Sequence, residues 1–254
     1  MEARTVSWAP SGDQQAGAPT ADGLREHKKR RMRQQLSDAA TEMFMARGFD
    51  AVRVSEVAAA CRVSEKTVFN YFPTKESLLL DRWDYTMASL RRRMADPDVS
   101  PVEVALQILA DELSAMTSWL ASQRDLAQAS MTMGRFGDLI RSTPSLRAYQ
   151  HDTTDQLIAL TAEILAGRAG MRADEPEPQI AAVALLGLWS IQFQSLRRYL
   201  DGTRVPAQVH EAVTADVRRA AHLVDAGLGL YFSSATSKIS ADSGGTIGDE
   251  PGDD

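Results

Sequence analysis

The sequence predicts an all-α protein, and three observations support that fold class. Apolar residues recur at spacings of three and four through most of the chain, which is the period of amphipathic helices. No stretch alternates apolar and polar residues over a length that would form a strand. Several prolines and glycines fall between the periodic segments, where they end helices. We therefore expect a three-helix N-terminal unit followed by a larger helical body.

Length and composition limit the classes of protein to consider. The chain has 254 residues, 44% hydrophobic and 24% charged, so it can bury a sizeable core. Its one cysteine, Cys61, excludes an internal disulfide framework and is typical of a reducing cytosol. The N-terminus has no signal-peptide pattern, and the longest apolar run, residues 180–189, is shorter than the roughly 18 residues of a membrane span. We expect a cytoplasmic protein with no membrane partner.

Charge is divided unevenly along the chain. The net charge is −6, which alone argues against a nucleic-acid partner. Residues 23–95, however, hold 15 Lys and Arg against 9 Asp and Glu, so the remainder carries −12. A basic N-terminal unit on an acidic body is typical of a DNA-binding protein with a separate regulatory body.

The chain begins with two segments of different character. Residues 1–22 are rich in Ala, Gly, Pro and Ser and have no period, which predicts a disordered tail. Residues 25–33 hold six Lys and Arg. They form either a solvated helix start or a basic arm on DNA phosphates or in the minor groove, with Lys28 and Arg31 as candidate contacts. An amphipathic helix follows and ends at Gly48.

Two short helices that meet at a tight turn are predicted next. The first spans residues 55–61 with Ser55 as its N-cap, and the second spans residues 65–71 with Ser64 as its N-cap. Pro73 ends the second helix, because the residue before a proline is disfavoured in a helix. Such a pair is a helix-turn-helix, whose second helix lies in the major groove.

The second helix carries side chains suited to DNA. Lys66 and Asn70 can hydrogen-bond bases or phosphates, and the hydroxyls of Thr67 and Tyr71 can donate to phosphate. These residues make double-stranded DNA the expected partner.

Across residues 24–80 the chain resembles the DNA-binding domain of TetR-family transcriptional regulators. The matching residues are Gly48-Phe49, Val54, Val57-Ala58, Val63-Ser64, Thr67-Val68-Phe69, Tyr71-Phe72, Lys75-Glu76 and Leu78-Leu79. The departure is Arg62, at a turn position where the family usually has Gly. A left-handed Arg there costs about 1 kcal/mol, and it places a cation near the DNA face.

The resemblance implies specific roles for residues in and around the second helix. The residues that would hold phosphates are Thr67, Tyr71 and Lys75, and those that would face bases are Ser55, Lys66, Phe69 and Asn70. Glu65 would read a cytosine amino group or support the helix start. The complete predicted DNA-contacting set is Ser55, Ser64, Glu65, Lys66, Thr67, Phe69, Asn70, Tyr71, Lys75, Lys28 and Arg31.

The rest of the chain is predicted to form a helical body. Its first five helices are predicted at residues 75–94, from 101 to an interruption near 122–124, and at 126–133, 146–166 and 179–200; Gly134 and Gly137 mark bends, and residues 169–178 form a loop. A last apolar stripe runs from Val209 to Leu228, and residues 233–254 predict a disordered acidic tail. The predicted domains are residues 23–72 for DNA binding and 73–232 for ligand binding and dimerisation.

The last two helices carry more apolar surface than one small body needs. The connection at residues 202–206 is short, so the two helices are expected to be antiparallel. We interpret them as half of an intermolecular four-helix bundle. The TetR resemblance implies the same, since such proteins form homodimers through their last two long helices.

Catalytic and metal-binding motifs are not found. The sequence has no glycine-rich phosphate loop, GxSxG, HExxH or CxxC, and no two of its four histidines lie three or four residues apart. We therefore expect no enzyme activity, no cofactor and no metal, although an enzyme with a structural N-terminal unit is the third hypothesis. Cys61 is interpreted as a buried core residue rather than a redox switch.

Several large side chains of the body suggest a ligand pocket. The candidates are Met116, Trp119, Met133, Phe136, Trp189, Gln192 and Phe193. Each is either a core residue or part of an apolar pocket with a few polar groups. The resemblance implies a small-molecule effector in this body.

Together these observations predict a homodimeric transcription factor that binds a palindromic operator and is released by a small apolar or amphipathic molecule. That it represses rather than activates is implied by the resemblance alone. The alternative is a DNA-binding regulator with no small-molecule inducer, gated by a protein partner.

Overall fold

The computed structural model of the protein describes residues 21–80 and 83–242, and within them the chain forms ten α-helices and no strand. The all-α prediction is confirmed. The helices are α1 Ala21–Arg47, α2 Val54–Ala60, α3 Glu65–Tyr71, α4 Ser77–Leu80, α5 Trp83–Arg93, α6 Pro101–Ala121, α7 Leu126–Ser142, α8 Pro144–Ala169, α9 Pro176–Tyr199 and α10 Pro206–Asp242.

The N-terminal unit consists of α1 to α4 around one apolar core. Leu36, Phe44, Phe72 and Leu78 are fully buried there. Leu78 belongs to α4, so this core extends beyond the predicted domain boundary at residue 72. Helix α4, which follows the helix-turn-helix, therefore completes the core of the N-terminal unit.

Helix α2 begins one residue earlier than predicted, and its N-cap is Arg53 rather than Ser55. The backbone N–H of Arg53 donates to Glu56 Oε2 at 2.8 Å. Because the Glu56 carboxylate reaches back to this N–H, the helix start does not need a serine. The predicted cap at Ser55 is wrong, while the predicted bounds and Ser64 cap of α3 are confirmed.

The helix that links the unit to the body also starts later than predicted. Thr74 lies in the turn before α4, and its Oγ1 accepts from the backbone N–H of Ser77, the first residue of this helix, at 3.1 Å. The predicted helix at residues 75–94 corresponds to α4 and α5, and residues 81 and 82 between them lie outside the described chain. Helix α5 then leads into the body.

Helix bounds in the body differ from the predictions mainly where glycine or proline was taken as a break. Helix α7 continues through Gly134 and Gly137, because one glycine lowers helix stability without ending a helix. Helix α9 starts at Pro176, since proline is tolerated in the first turn, where the backbone N–H has no helical partner.

The C-terminal helix α10 runs to Asp242, so the prediction of a disordered tail from residue 233 is wrong for residues 233–242. No glycine or proline lies between residues 230 and 243 to stop it. Residues 243–254, and 1–20 of the predicted N-terminal tail, lie outside the described part of the chain; residues 21 and 22 belong to α1.

The body core lies between α5, α6, α8, α9 and α10. Its fully buried members include Leu90, Ile108, Leu157, Leu185 and Val213. Helix α9 is long and apolar enough to meet the length and composition criteria of a membrane span, with a mean hydropathy of 1.3. It packs against α6, α8 and α10, as the core helix of a helical body does.

Two contacts connect the body to other segments. Leu146, at the start of α8, is fully buried in the N-terminal core. Arg168, near the end of α8, donates to the carbonyl oxygens of Pro97 at 3.0 Å and Val99 at 2.6 Å. Burial lowers the pKa of Arg168 below its ordinary value. The first contact joins the two cores, and the second holds the loop between α5 and α6.

Candidate functional site

Helix α3 is held at its N-terminus by a local hydrogen-bond pair. Ser64 Oγ accepts from the Thr67 backbone N–H at 3.1 Å, and the two hydroxyl oxygens lie 2.8 Å apart. The cap fixes the first turn of the helix, and the prediction of Ser64 from local sequence depended on the same hydrogen bond.

One face of α3 is buried and the opposite face is open to solvent. Val68 and the C-cap residue Phe72 are fully buried. Lys66 and Asn70 are exposed, and Phe69 exposes 45% of its surface. An aromatic ring and two hydrogen-bonding side chains are therefore presented together on a rigid helix.

The C-terminal end of α3 is held by an arginine from α1. Arg33 Nη1 donates to the Tyr71 carbonyl oxygen at 2.8 Å, and its guanidinium carbon lies 4.7 Å from the Phe72 ring centroid. Sequence reasoning missed this contact. The available signal was its position three residues before Leu36, on the same face of α1.

Lys75 is placed less freely than predicted. Its Nζ donates to the Phe49 carbonyl oxygen at 2.7 Å and lies 4.3 Å from the Phe49 ring centroid. The cation–π contact and the hydrogen bond anchor the chain after α3 to the end of α1. Tyr71 and Thr67 are half-buried, so their hydroxyl-bearing side chains lie at the edge of the exposed face.

The basic stretch at the start of the chain is helical. Lys28 and Arg31 belong to α1 and are exposed, as are Lys29 and Arg30 between them. The stretch is thus a cationic helix end. Ser55 and Glu65 are exposed on α2 and α3.

An ion pair fixes α2 against α1. Arg47 Nη1 donates to Glu56 Oε1 at 2.7 Å. The hydrogen bond from Arg47, followed by the one from the Arg53 backbone, lowers the pKa of Glu56. Glu56 therefore serves both the start of α2 and its contact with α1.

Cys61 lies inside the N-terminal core. It is buried, its Sγ lies 3.7 Å from the Gln35 carbonyl oxygen, and burial raises the pKa of the thiol. A protonated, buried thiol is unreactive, so the interpretation as a core residue is confirmed by its burial.

The candidate ligand-pocket residues are not all brought together. Met116, Trp189 and Gln192 are buried, and Met133 packs against the body core. Trp119 is half-buried. Phe136 instead packs against the N-terminal core, and Phe193 is 42% exposed on α9. Their place in a pocket cannot be read from aromatic content, because aromatic side chains serve both cores.

A buried carboxylate lies beside Trp189. Glu112 Oε2 accepts from Trp189 Nε1 at 3.2 Å, and Glu112 Oε1 accepts from Thr86 Oγ1 at 2.9 Å. Only 7% of Glu112 is exposed, although the charged pair Asp111-Glu112 in the sequence is typical of a solvated helix surface. It falls four residues after Ile108 on the buried stripe of α6, and that spacing was the available signal. Its neighbour Asp111 is exposed, and Asp111 Oδ2 accepts from Arg93 at 2.6 Å.

A second buried polar pair joins α9 to α10. Ser195 Oγ donates to Asp216 Oδ2 at 2.8 Å, and Arg219 pairs with the other oxygen. The Ser195 hydrogen bond is the largest cause of the lowered pKa of Asp216. This pair fixes the register of the last two helices.

An apolar groove of about 390 Å³ runs between α9 and α10 on the outer face. Ile180 and Leu223, which line it, expose 66% and 76% of their surfaces. The other residues that line the groove are Glu177, Ala181, Ala184, Val224 and Gly227. Exposed apolar side chains facing one groove are typical of a protein interface.

The described residues contain no group of three or more His, Cys, Asp or Glu side chains placed to hold a metal ion.

Comparisons with known proteins agree with this arrangement. A sequence profile described as "Bacterial regulatory proteins, tetR family" matches residues 36–81, and one described as "MftR C-terminal domain" matches residues 124–215. The HTH-type transcriptional regulator TcmR of Streptomyces glaucescens is 28% identical over 159 residues, which are 62% of this chain and 69% of TcmR.

Two further similar proteins cover different shares of the chain. The fatty acid metabolism regulator protein of Bacillus subtilis (strain 168) is 31% identical over 100 residues, 39% of this chain and 51% of its own. The structure of NalD, the secondary repressor of the MexAB-OprM multidrug efflux pump in Pseudomonas aeruginosa, aligns over 76% of this chain and 97% of NalD. The identity is 20% and the TM-score is 0.45.

The fold and the exposed face of α3 define a helix-turn-helix DNA-binding protein with a separate helical body. The two profiles together match more than half of the chain, and the chain belongs to the TetR family of transcriptional regulators. The similar proteins are transcriptional regulators rather than enzymes.

Proposed function

We propose that the protein is a cytoplasmic, ligand-responsive repressor that binds a palindromic operator as a homodimer. The observation that supports this most is the exposed face of α3. Lys66, Phe69 and Asn70 project from one face of α3. The opposite face is packed into the core by Val68, and the N-terminus of the helix is capped by Ser64. A rigid helix with hydrogen-bonding side chains and an exposed ring is what a major groove accepts.

The proposed base contacts come from α3 and the proposed phosphate contacts surround it. Lys66 and Asn70 bond base edges, Phe69 contacts a thymine methyl group, and Ser55 and Glu65 lie at the edges of the same exposed surface. Phosphate contacts come from Thr67, Tyr71, Lys28 and Arg31. The ammonium group of Lys75 has three N–H donors, and one of them donates to the Phe49 carbonyl oxygen, which is its structural role. One of the other two donors contacts a phosphate.

The apolar groove supports a homodimer through α9 and α10. Ile180 and Leu223 are exposed in the monomer, and a second copy that places the same face against them would cover both. The two α3 helices of such a dimer are related by a two-fold axis. The operator is therefore a palindrome, with half-sites about 34–36 Å apart or a multiple of that distance.

The buried polar groups of the body support an effector site. Gln192 is buried on the face of α9 that also carries Trp189, and Glu112 lies opposite Trp189 among apolar side chains. Polar groups that are held in place within an apolar pocket can orient a small apolar or amphipathic molecule. Induction is a population shift, in which a ligand that prefers the conformation with misplaced α3 helices lowers DNA affinity by that preference.

Selection of a random DNA pool on the purified protein, at a stated salt concentration, tests the proposal. The expected result is an enriched palindrome whose half-site spacing gives the distance between the two α3 helices. Enrichment of no sequence, with only salt-sensitive binding, would contradict it.

The effector is tested with the selected duplex. A compound library is screened for changes in tryptophan fluorescence, and each hit is then titrated against the protein–operator complex. Release of the operator is the expected outcome, whereas ligands that bind without altering operator affinity would contradict ligand-responsive repression.

A further inference from the structure

Arg62 occupies a backbone conformation that arginine disfavours. Its φ is 57°, and it is the one non-glycine residue with positive φ in the described chain. An L-residue in this region is strained because its Cβ crowds the following carbonyl oxygen, and glycine has no such crowding. Retained backbone strain points to a role outside folding.

The turn itself does not need the Arg62 side chain. The Arg62 backbone N–H donates to the Ala59 carbonyl oxygen at 3.1 Å, and the Val63 N–H donates to the Ala58 carbonyl oxygen at 2.9 Å. These backbone hydrogen bonds end α2 in a left-handed C-terminal turn. Glycine at this position would make the same bonds without strain.

The Arg62 side chain is not paired with another side chain or carbonyl oxygen in the described part of the protein. It is exposed, and its guanidinium forms no hydrogen bond or ion pair with any residue in the described ranges. Its neighbours Cys61 and Val63 supply the packing of the turn, since both belong to or pack against the N-terminal core. The guanidinium is therefore available to a partner.

The position of Arg62 indicates the partner. It lies two residues before Ser64, the N-cap of α3, and four before the exposed Lys66. In a helix-turn-helix this end of the second helix is the one that approaches DNA. A guanidinium presents a fork of donors that matches phosphate geometry, and the side chain is long enough to reach the backbone flanking a groove.

We propose that Arg62 is a DNA-binding residue that holds a backbone phosphate beside each half-site of the operator. The inference rests on the proposed function. The contact supplies salt-dependent affinity and fixes the orientation of the helix-turn-helix, and it carries no sequence information of its own. The strained turn is retained because it places a cation where glycine would leave none.

The proposal predicts opposite effects of Arg62→Gly on stability and on DNA binding. Without the strain, the melting temperature rises by about 2–4 °C. Affinity for the selected operator falls about tenfold. The slope of log K against log salt becomes shallower by about 2, because a dimer loses two phosphate contacts of about 0.9 each. The order of preferred sequences in the pool stays the same.

Two variants serve as controls. Arg62→Lys keeps the charge and the strained backbone, so the salt slope stays near that of the wild type. Arg92→Ala removes an exposed arginine from the end of α5, outside both the N-terminal unit and the proposed dimer helices, and should change neither affinity nor slope. A drop in slope for Arg92→Ala equal to that for Arg62→Gly would show a general charge effect and overturn the assignment.

The experiment separates this inference from the proposed function. If the wild type selects a palindrome but Arg62→Gly binds it with unchanged affinity and slope, Arg62 holds no phosphate and only the inference is wrong. If the wild type selects no sequence, the proposed function is wrong, and the slopes of the two proteins on a random duplex then decide the role of Arg62 alone.

Discussion

The N-terminal unit and the body place their polar side chains in opposite ways. In α3 the hydrogen-bonding groups of Lys66 and Asn70 face solvent, while apolar Val68 holds the helix. In the body, Glu112 and Trp189 are buried and bonded to each other. Exposed polar groups can be changed without altering the fold, whereas buried ones cannot. Recognition and stability are thus separable in the first region and coupled in the second.

Leu146→Ala should have the largest effect, because it removes the residue that joins the two regions. A fully buried leucine lost from a core lowers the free energy of unfolding by about 3 kcal/mol. Urea denaturation of the variant measures the loss. Val205→Ala, at a half-exposed position outside either core, is the control and should change stability by less than about 0.5 kcal/mol. Equal losses for the two variants would mean that Leu146 does not join the cores.

Glu112→Ala tests the coupling inside the body. The substitution leaves the Trp189 indole N–H and the Thr86 hydroxyl without their acceptor in a buried site, at a loss of about 2–3 kcal/mol. Glu112→Gln keeps one acceptor oxygen for the Trp189 indole N–H and places an amide donor beside the Thr86 hydroxyl oxygen, so it should lose less. Urea denaturation followed by tryptophan fluorescence measures both. A Gln variant as unstable as the Ala variant would show that charge rather than hydrogen bonding holds this site.

Arg33→Ala tests whether recognition depends on how α3 is positioned. Without the bond from Arg33 to the Tyr71 carbonyl, the preference for operator over random DNA should fall about tenfold, equivalent to about 1.4 kcal/mol. The salt slope should stay constant, since this guanidinium already bonds within the protein. Lys28→Ala, which removes an exposed cation, should instead make the slope shallower and keep the preference. Competition binding at several salt concentrations measures both quantities.

Asp216→Asn should have the smallest effect and the clearest pH dependence. The native pKa of Asp216 lies below its ordinary 3.8, mainly because Ser195 donates to it. Its contribution to stability is therefore fully present above pH 4 and is lost as the pH falls through the native pKa. Melting temperatures of wild type and variant should differ at pH 6 and converge toward pH 2. A difference that stays constant over this range would contradict the assignment.

Local signals predicted the features of the N-terminal unit that depend on neighbouring residues. Ser64 and the bounds of α3 follow from a cap and a proline within ten residues of each other. The prediction of Ser55 as the N-cap of α2 was wrong. The side chain that forms a hydrogen bond at the start of this helix is Glu56, whose carboxylate accepts from the Arg53 backbone N–H. Arg33 was not found, since its partner lies 38 residues away.

The body was predicted less well because its contacts join distant helices. In the sequence, Glu112 belongs to a charged dipeptide, which is typical of a helix surface. Its burial is explained only by the hydrogen bonds that it accepts from side chains on α5 and α9. Phe136 and Trp189 are both aromatic residues in central helices, yet they belong to different cores. Composition identifies such residues as apolar but does not say which core they fill.

Arg168 fixes one end of α5, the helix that leads from the N-terminal unit into the body. It bonds the carbonyl oxygens that follow α5, so the far end of this helix is fixed to α8. Helix α5 has 11 residues, so its other end lies about 16 Å from that fixed point. A tilt of about 10° around this pivot would displace that other end by about 3 Å, roughly the rise of two helical residues. Under the proposed induction, a small repacking around α5 would therefore be enough to shift α3 relative to the major groove.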